Sequence, residues 1–422
     1  MITCARPILS FATLLACLVP LTDGVAQEAR EDARGSPPTC LSGERVGSGE
    51  CTPEAYLLAI LERQGVEAAM AELERLVASD QDIQRDAHSY SHAIGISAYT
   101  GVEDVGEVFA RCTPAYQSGC YHGVIQSYFT QQSAGEVDSA AVNALCRALR
   151  EDPNERWLLF QCAHGMGHGL LMIADRHLPT SLQGCDLVEM PWEREACYGG
   201  AFMENIVGAT APHHAVGRPA EAAHAEHGAP QMAESHQHGH GTPGDAAAAT
   251  PEEFPPLKAE DPLYPCSVLE DRYLIACYQM QTSAILHFNG YDIREAARTC
   301  QTAPELLRPT CFQSLGRDVS AVTLQDHGRA IQLCGLAGED YERWCHLGYA
   351  KNLVDLTADS NDGLRYCRLL ADGESKRFCY IAVGEQIWVL TQDTEQRVAL
   401  CANAEEAYLD ECRRGAGLEQ GN

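Results

Sequence analysis

Apolar positions fall into a helical rhythm that begins at Pro53-Glu-Ala-Tyr-Leu-Leu-Ala-Ile-Leu and continues from Val66 to Ala78. From there, longer and shorter segments with the same three-to-four spacing alternate towards the C-terminus. No stretch alternates apolar and polar residues over the length of a strand, so the pattern predicts an all-α fold. Each longer segment carries a cysteine near its start, usually followed by an aromatic residue. The series runs Gly119-Cys-Tyr-His-Gly, Gln161-Cys-Ala-His-Gly, Ala196-Cys-Tyr-Gly-Gly, Ala276-Cys-Tyr-Gln-Met, Thr310-Cys-Phe-Gln-Ser, Trp344-Cys-His-Leu-Gly and Phe378-Cys-Tyr-Ile-Ala.

The cysteines also keep a count. Cys266, Cys300, Cys334, Cys367 and Cys401 are separated by 34, 34, 33 and 34 residues, and Cys277, Cys311, Cys345, Cys379 and Cys412 by 34, 34, 34 and 33. Upstream, Cys112 to Cys146 and His88 to His122 are each 34 apart. A fixed period of this length marks stacked helical hairpins, each burying its apolar face against its neighbours. Residues 11 apart in one continuous helix lie about 16 Å apart, whereas a disulfide needs Cα atoms within roughly 7 Å. The chain must therefore turn back between the members of each pair, and Gly335-Leu-Ala-Gly-Glu-Asp340, Asp372-Gly-Glu-Ser375 and Gln301-Thr-Ala-Pro304 suit such turns. The predicted staples join sequence neighbours: Cys40–Cys51, Cys112–Cys120, Cys146–Cys162, Cys185–Cys197, Cys266–Cys277, Cys300–Cys311, Cys334–Cys345, Cys367–Cys379 and Cys401–Cys412. In the chain-entropy view each small loop contributes about 3 kcal/mol. The predicted architecture is a disulfide-stapled α-hairpin solenoid with a period of about 34 residues.

In this hairpin-plus-disulfide pattern the chain resembles the secreted, cysteine-rich Sel1-like repeat proteins over roughly residues 80–415. The period is shorter than is usual for those repeats and their Ala/Gly signature is not evident. The tetratricopeptide pattern is also missing. The resemblance implies a solenoid with a surface for a protein partner, and it carries no catalytic residues.

Outside the repeats, residues 1–26 have Arg6, an apolar run from Ile8 to Leu21 and Gly24-Val25-Ala26, the form of a secretory signal peptide. Leu15-Ala16-Cys17 offers a lipobox-like alternative, although the residues after Cys17 are still apolar. The run is short for a membrane span and no later stretch approaches the roughly 20 apolar residues one needs. Of 20 cysteines, removing Cys4 and Cys17 leaves 18, an even number that suits an oxidising, periplasmic or secreted setting. Residues 27–52 read as a linker with a small disulfide loop, 53–208 as N-terminal repeats and 263–415 as C-terminal repeats. Between them, residues 209–262 are rich in Ala, Pro and Gly and carry His213, His214, His224, His227, His236, His238 and His240. Such a segment has too little apolar surface to fold and is expected to be a disordered insertion. A net charge of −29 without a basic patch makes nucleic acid and anionic membranes poor partners.

Histidines supply the candidate chemistry. With each stapling cysteine numbered zero, His122 and His164 stand at +2 and His168 at +6. One period before Cys120 lies Asp86, which sets His88 at +2 and His92 at +6. Residues four apart share a helix face, and neighbouring helices lie about 8–10 Å apart, so the five imidazoles are expected to converge. The run His164-Gly-Met-Gly-His168-Gly places three glycines in a helix, each unfavourable by up to about 1 kcal/mol against alanine, which calls for a close approach by something else. Gly123, Gly199 and Gly200 are expected at adjacent positions on the neighbouring helices.

Neutral imidazoles suit a divalent transition metal such as zinc, copper, iron or nickel. A lone His-x-x-x-His pair more often faces solvent or fills a core, and here the competing reading is a packed polar seam. Met203 and Glu204 are further candidates, as a soft ligand or core filler and as a ligand or general base. Tyr90 and Tyr121 read as packing residues or donors to the site, and His177, His287, His327 and His346 have no partners in the register. Gln279, Gln313, Leu347 and Ile381 at +2 of the C-terminal repeats read as scaffold or partner surface.

Three functions fit: an exported metal-binding protein with a structured multi-His site and a His-rich capture loop, a secreted metalloenzyme on the same residues, or a protein-interaction solenoid. The first resembles the arrangement of periplasmic zinc-binding transport proteins on a different fold. No His-Glu-x-x-His or Ser/His/Asp set names a reaction. Peptide mapping without reduction is expected to recover the neighbour pairs, including Cys300–Cys311 and Cys334–Cys345, with no free thiol in the mature chain. Long-range links such as Cys266–Cys412 would contradict the hairpin scheme.

Overall fold

The computed structural model describes residues 51–102, 105–131, 138–150, 155–210 and 254–418. Residues 1–26, expected to be a signal peptide, Cys40 and the seven histidines of the insertion lie outside this range. The described residues form helices without a sheet: α1 (Pro53–Gln64), α2 (Val66–Val77), α3 (Gln81–Ala98), α4 (Val105–Phe109), α5 (Gly119–Gln131), α6 (Ser139–Leu145), α7 (Arg147–Arg150), α8 (Arg156–Ile173), α9 (Leu178–Asp186) and α10 (Pro191–Thr210). After the insertion come α11 (Leu274–Asn289), α12 (Ile293–Gln301), α13 (Arg308–Thr323), α14 (His327–Cys334), α15 (Glu342–Thr357), α16 (Ser360–Leu369), α17 (Glu374–Leu390), α18 (Thr394–Cys401) and α19 (Leu409–Gly415). No described helix is long and apolar enough to cross a membrane.

Local chemistry sets these boundaries. The short helices α12, α14, α16 and α18 each start at an aspartate, Asp292, Asp326, Asp359 and Asp393, whose carboxylate accepts from a backbone N–H of the first turn. Asp80 does the same for α3. The long helices α11, α13 and α15 end on left-handed residues, Gly290, Leu324 and Ala358, which turn the chain back. A disulfide then ties the last turn of a short helix to the start of the next helix, as in Cys300–Cys311, Cys334–Cys345, Cys367–Cys379 and Cys401–Cys412. Cys112–Cys120, Cys146–Cys162, Cys185–Cys197 and Cys266–Cys277 are bonded as well, with Cα separations from 5.4 Å to 6.0 Å across all eight. Cys51 is disulfide-bonded too, while its expected partner Cys40 is outside the described residues. The aromatic residue after the cysteine has a packing role: Tyr121, Tyr198, Tyr278, Phe312 and Tyr380 are all buried.

Each long helix packs on the next, from α3 to α5, α8, α10, α11, α13, α15, α17 and α19. The row also bends back on itself, because α17 touches α8. Arg156 of α8 lies between two indoles there, with its guanidinium 4.0 Å from the Trp192 ring and 3.4 Å from that of Trp388, an arrangement favoured by the ring quadrupole. Further round, the Tyr116 amide donates to the Leu356 carbonyl and the Gln117 amide to Asn352. His122, His164, Gln279 and Gln313, the +2 residues of α5, α8, α11 and α13, thus line one shared chamber.

Glycines let the backbones meet. A Cβ on Gly167 would lie 2.0 Å from the Cys197 carbonyl oxygen, and one on Gly200 only 1.9 Å from that of His164. The same reciprocal contact joins Gly316 and Gly348 to the carbonyls of Cys345 and Gln313, and Gly95 and Gly123 to those of Cys120 and His92. These gaps admit no side chain at all.

The insertion is narrower than its composition indicates. Residues 209–210 finish α10, and residues 254–262 belong to the fold. The Pro256 carbonyl accepts from Asn205 at 2.9 Å, the Pro262 carbonyl accepts from Gln281 at 2.8 Å, and the Phe254 ring sits 5.3 Å from that of Tyr264.

Gly200→Ala is expected to lower the thermal midpoint sharply, since overpacking of a closed contact costs about 1–3 kcal/mol or more. Gly335→Ala is the control. Nothing lies within 4 Å of a Cβ there and the backbone is already helical, so that midpoint should hold or rise slightly.

Candidate metal centre

Helices α3, α5 and α8 carry His88 and His92, His122, and His164 and His168 respectively. The glycine contacts fix their register. Gly95 and Gly123 cross between α3 and α5 just as Gly167 and Gly200 cross between α8 and α10, so His92 stands in α3 where His164 stands in α8. Tyr90 therefore takes the place of the stapling cysteine. Counting one period back from Cys120 to Asp86 overshoots by one helical turn: His92, not His88, shares the position of His122 and His164. A four-residue slip keeps the same helix face, so the five imidazoles still meet.

They meet as a connected group. Ring centroids are 4.6 Å apart for His122 and His164, 5.1 Å for His122 and His168, and 5.2 Å for His164 and His168. His92 lies 5.4 Å from His168, and His88 lies 5.9 Å from His122 and 6.0 Å from His92. Imidazoles on one tetrahedral ion, with metal–nitrogen bonds of about 2.0–2.1 Å, have centroids roughly 5 Å apart. His122, His164 and His168 offer ligand atoms within 4.8 Å of one another, and so do His92, His168 and Glu204. Buried histidine clusters that can hold a metal ion are thus present among the described residues.

Each ring is oriented by a second contact. His168 Nδ1–H donates to Glu204 Oε2 at 3.0 Å, which makes Nε2 its lone-pair nitrogen. His122 Nε2–H donates to Gln161 Oε1 at 2.8 Å and its Nδ1 has no hydrogen-bond partner. His164 donates to the Ala196 carbonyl and its Nε2 has none. His88 Nδ1–H donates to the Tyr116 carbonyl at 2.8 Å, a residue within the left-handed run Tyr116-Gln117-Ser118. Metal-binding imidazoles are held in this way, one N–H on an acceptor and the other nitrogen turned to the ion. Burial first, and then the neighbouring imidazoles, favour the neutral form of His88, His122 and His164. His88 is pushed down to about 4, and His122 and His164 well below the ordinary 6.5.

The other candidates divide. Glu204, only 1% exposed, sits against His168 and lies 3.6 Å from Arg176. Its carboxylate orients the His168 imidazole, while also belonging to the second group. Met203 lines an adjoining chamber of about 380 Å³ together with His122 and His164. Tyr121 is a packing residue whose hydroxyl donates to the Cys112 carbonyl, and Tyr90 is partly buried against the core. His177 caps α9, His287 is exposed, His327 pairs with the Tyr349 hydroxyl and His346 with that of Tyr366. None of these four joins the cluster.

Some site residues were not legible in the chain. Gln279 and Gln313, read as scaffold or partner surface, line the same chamber as His122 and His164. Gln161 escaped notice because an acceptor for an imidazole has no sequence signature. Gln126 did carry a signal: it follows His122 by one turn, and its side chain is fully buried with neither amide atom partnered. Asp355, also on the chamber wall, has its carboxyl pushed up to about 7 by burial, against the pull of Lys351, the Gln386 hydrogen bond and Arg317.

Unfolded imidazoles titrate near 6.5 and these folded ones lower, so the native state binds fewer protons between the two values. Stability of the metal-free protein is full above about pH 6.5 and falls as pH drops through that window towards 4. Each buried histidine contributes up to about 1.4 kcal/mol per pH unit there. Thermal midpoints between pH 8 and 4 should show the fall, and His88→Asn should make it shallower.

No family model matches this chain, and no curated protein or solved structure does so either.

Proposed function

We propose that the chain is an exported metal-binding helical-repeat protein, built as a disulfide-stapled solenoid of about 34 residues per unit. His122, His164 and His168 are the primary ligands for a divalent transition metal, with His88 and His92 beside them and the histidines of the insertion as a capture segment. The observation that carries this reading is the buried triad with ligand atoms within 4.8 Å, each ring already oriented by its own acceptor. Three imidazoles suit zinc, copper or iron. Export is supported by the leader-like N-terminus and the dense disulfides.

A second reading, a metalloenzyme, is favoured by one observation. The chamber reaches His122 and His164, and catalytic metals need an open position beside their protein ligands.

Metal analysis and titration of a form lacking residues 212–253 test the first reading. His122→Ala, His164→Ala and His168→Ala should each weaken metal binding by tenfold or more, roughly the effect of disturbing even the supporting shell of such a site. His287→Ala should change nothing. Unaltered affinity in all three would make the histidines a packed polar seam. Metal lost only with the insertion would leave the insertion as the sole chelator.

A further inference from the structure

The chamber beside the histidines has a chemically specific wall. His122 and His164 line it, and each keeps one ring nitrogen without a hydrogen-bond partner. Trp157 lines it too, and its buried indole N–H is likewise unpartnered, a donor left for something other than this chain. Helix α13 contributes Arg317 and α15 contributes Lys351, held 2.7 Å from Asp318 and 2.5 Å from Glu385. The amides of Gln279 and Gln313 add donors on the same wall.

Charge selects the class of ligand. Arg317 and Lys351 are matched by Asp318 and Glu385, so the positive charge of a loaded chamber comes from the ion on the histidines, set against Glu195 and Asp355 on the wall. Burial raises both of these carboxyls, Asp355 to about 7. A loaded chamber is therefore a cationic concavity inside a chain of net charge −29. A volume of about 380 Å³ admits a small molecule and excludes a folded partner.

Resting on the metal-site reading, we propose that this chamber binds a small organic acid whose oxyanion takes the open coordination position of the ion on His122 and His164. Trp157 Nε1–H, the amides of Gln279 and Gln313, and the cations Lys351 and Arg317 hold the rest of the acid. No bond is made or broken in this step; the acid replaces solvent on the ion.

The test uses the full-length protein loaded with cobalt(II), titrated with acetate and, separately, azide and inorganic phosphate. Acetate should change the visible absorption saturably. Lys351→Met should weaken acetate about tenfold, the loss of one charge-assisted contact, with cobalt stoichiometry unchanged. Trp157→Phe, which keeps the aromatic bulk, should also weaken it. Cobalt held at full stoichiometry with a spectrum that all three anions leave unchanged would overturn the proposal, as would equal acetate affinity in the wild type and both variants. Failure to take up cobalt at all would overturn the metal-site reading, and the acid site with it.

Discussion

Everything distinctive in this protein depends on backbone-to-backbone contact between consecutive long helices. At Gly123 and Gly200 the facing carbonyl oxygens, those of His92 and His164, lie where a Cβ would be. Each glycine thus abuts a histidine of the neighbouring helix. Ordinary helix pairs stand about 8–10 Å apart because side chains fill the gap. Without them, imidazoles from three helices reach one another instead of being separated by packing residues. The helical propensity forgone at these glycines, up to about 1 kcal/mol each, is offset by the contacts that close approach permits, and disulfides limit how far the unit can open.

Burial then decides the chemistry. Five imidazoles within one interior cannot all be protonated, because desolvation and mutual repulsion both oppose the charged form. His88, His122 and His164 are held towards the neutral form, the one a transition metal requires. The hydrogen-bonding atoms that orient the imidazoles come from different places: the Glu204 carboxylate, the Gln161 amide, the Ala196 carbonyl and the carbonyl of left-handed Tyr116. A carboxylate on His168 raises that imidazole's basicity, whereas neutral acceptors on the others chiefly fix the tautomer.

Much of this was readable in the chain because it is periodic. The helical class, eight of the nine staples and the convergence of the five histidines follow from spacing, since a disulfide and a helix face both impose fixed separations. Where the repeat lost its marker, the reading slipped: α3 has Tyr90 in place of the cysteine, and counting from Asp86 misplaced the register by a turn. The slip was harmless to the site only because 3.6 residues per turn returns nearly the same face.

Sequence alone therefore determined which residues recur and which share a helix face, because both depend on local geometry repeated along the chain. Tertiary structure decided how the row of helices bends. That curvature brings α17 against α8 and sets Gln279, Gln313 and Asp355 on the same chamber as His122 and His164. It also places residues 254–262 against α10 and α11. These are sums of small rotations at each helix crossing, fixed by side-chain packing between residues far apart in the chain. No local pattern encodes such a sum.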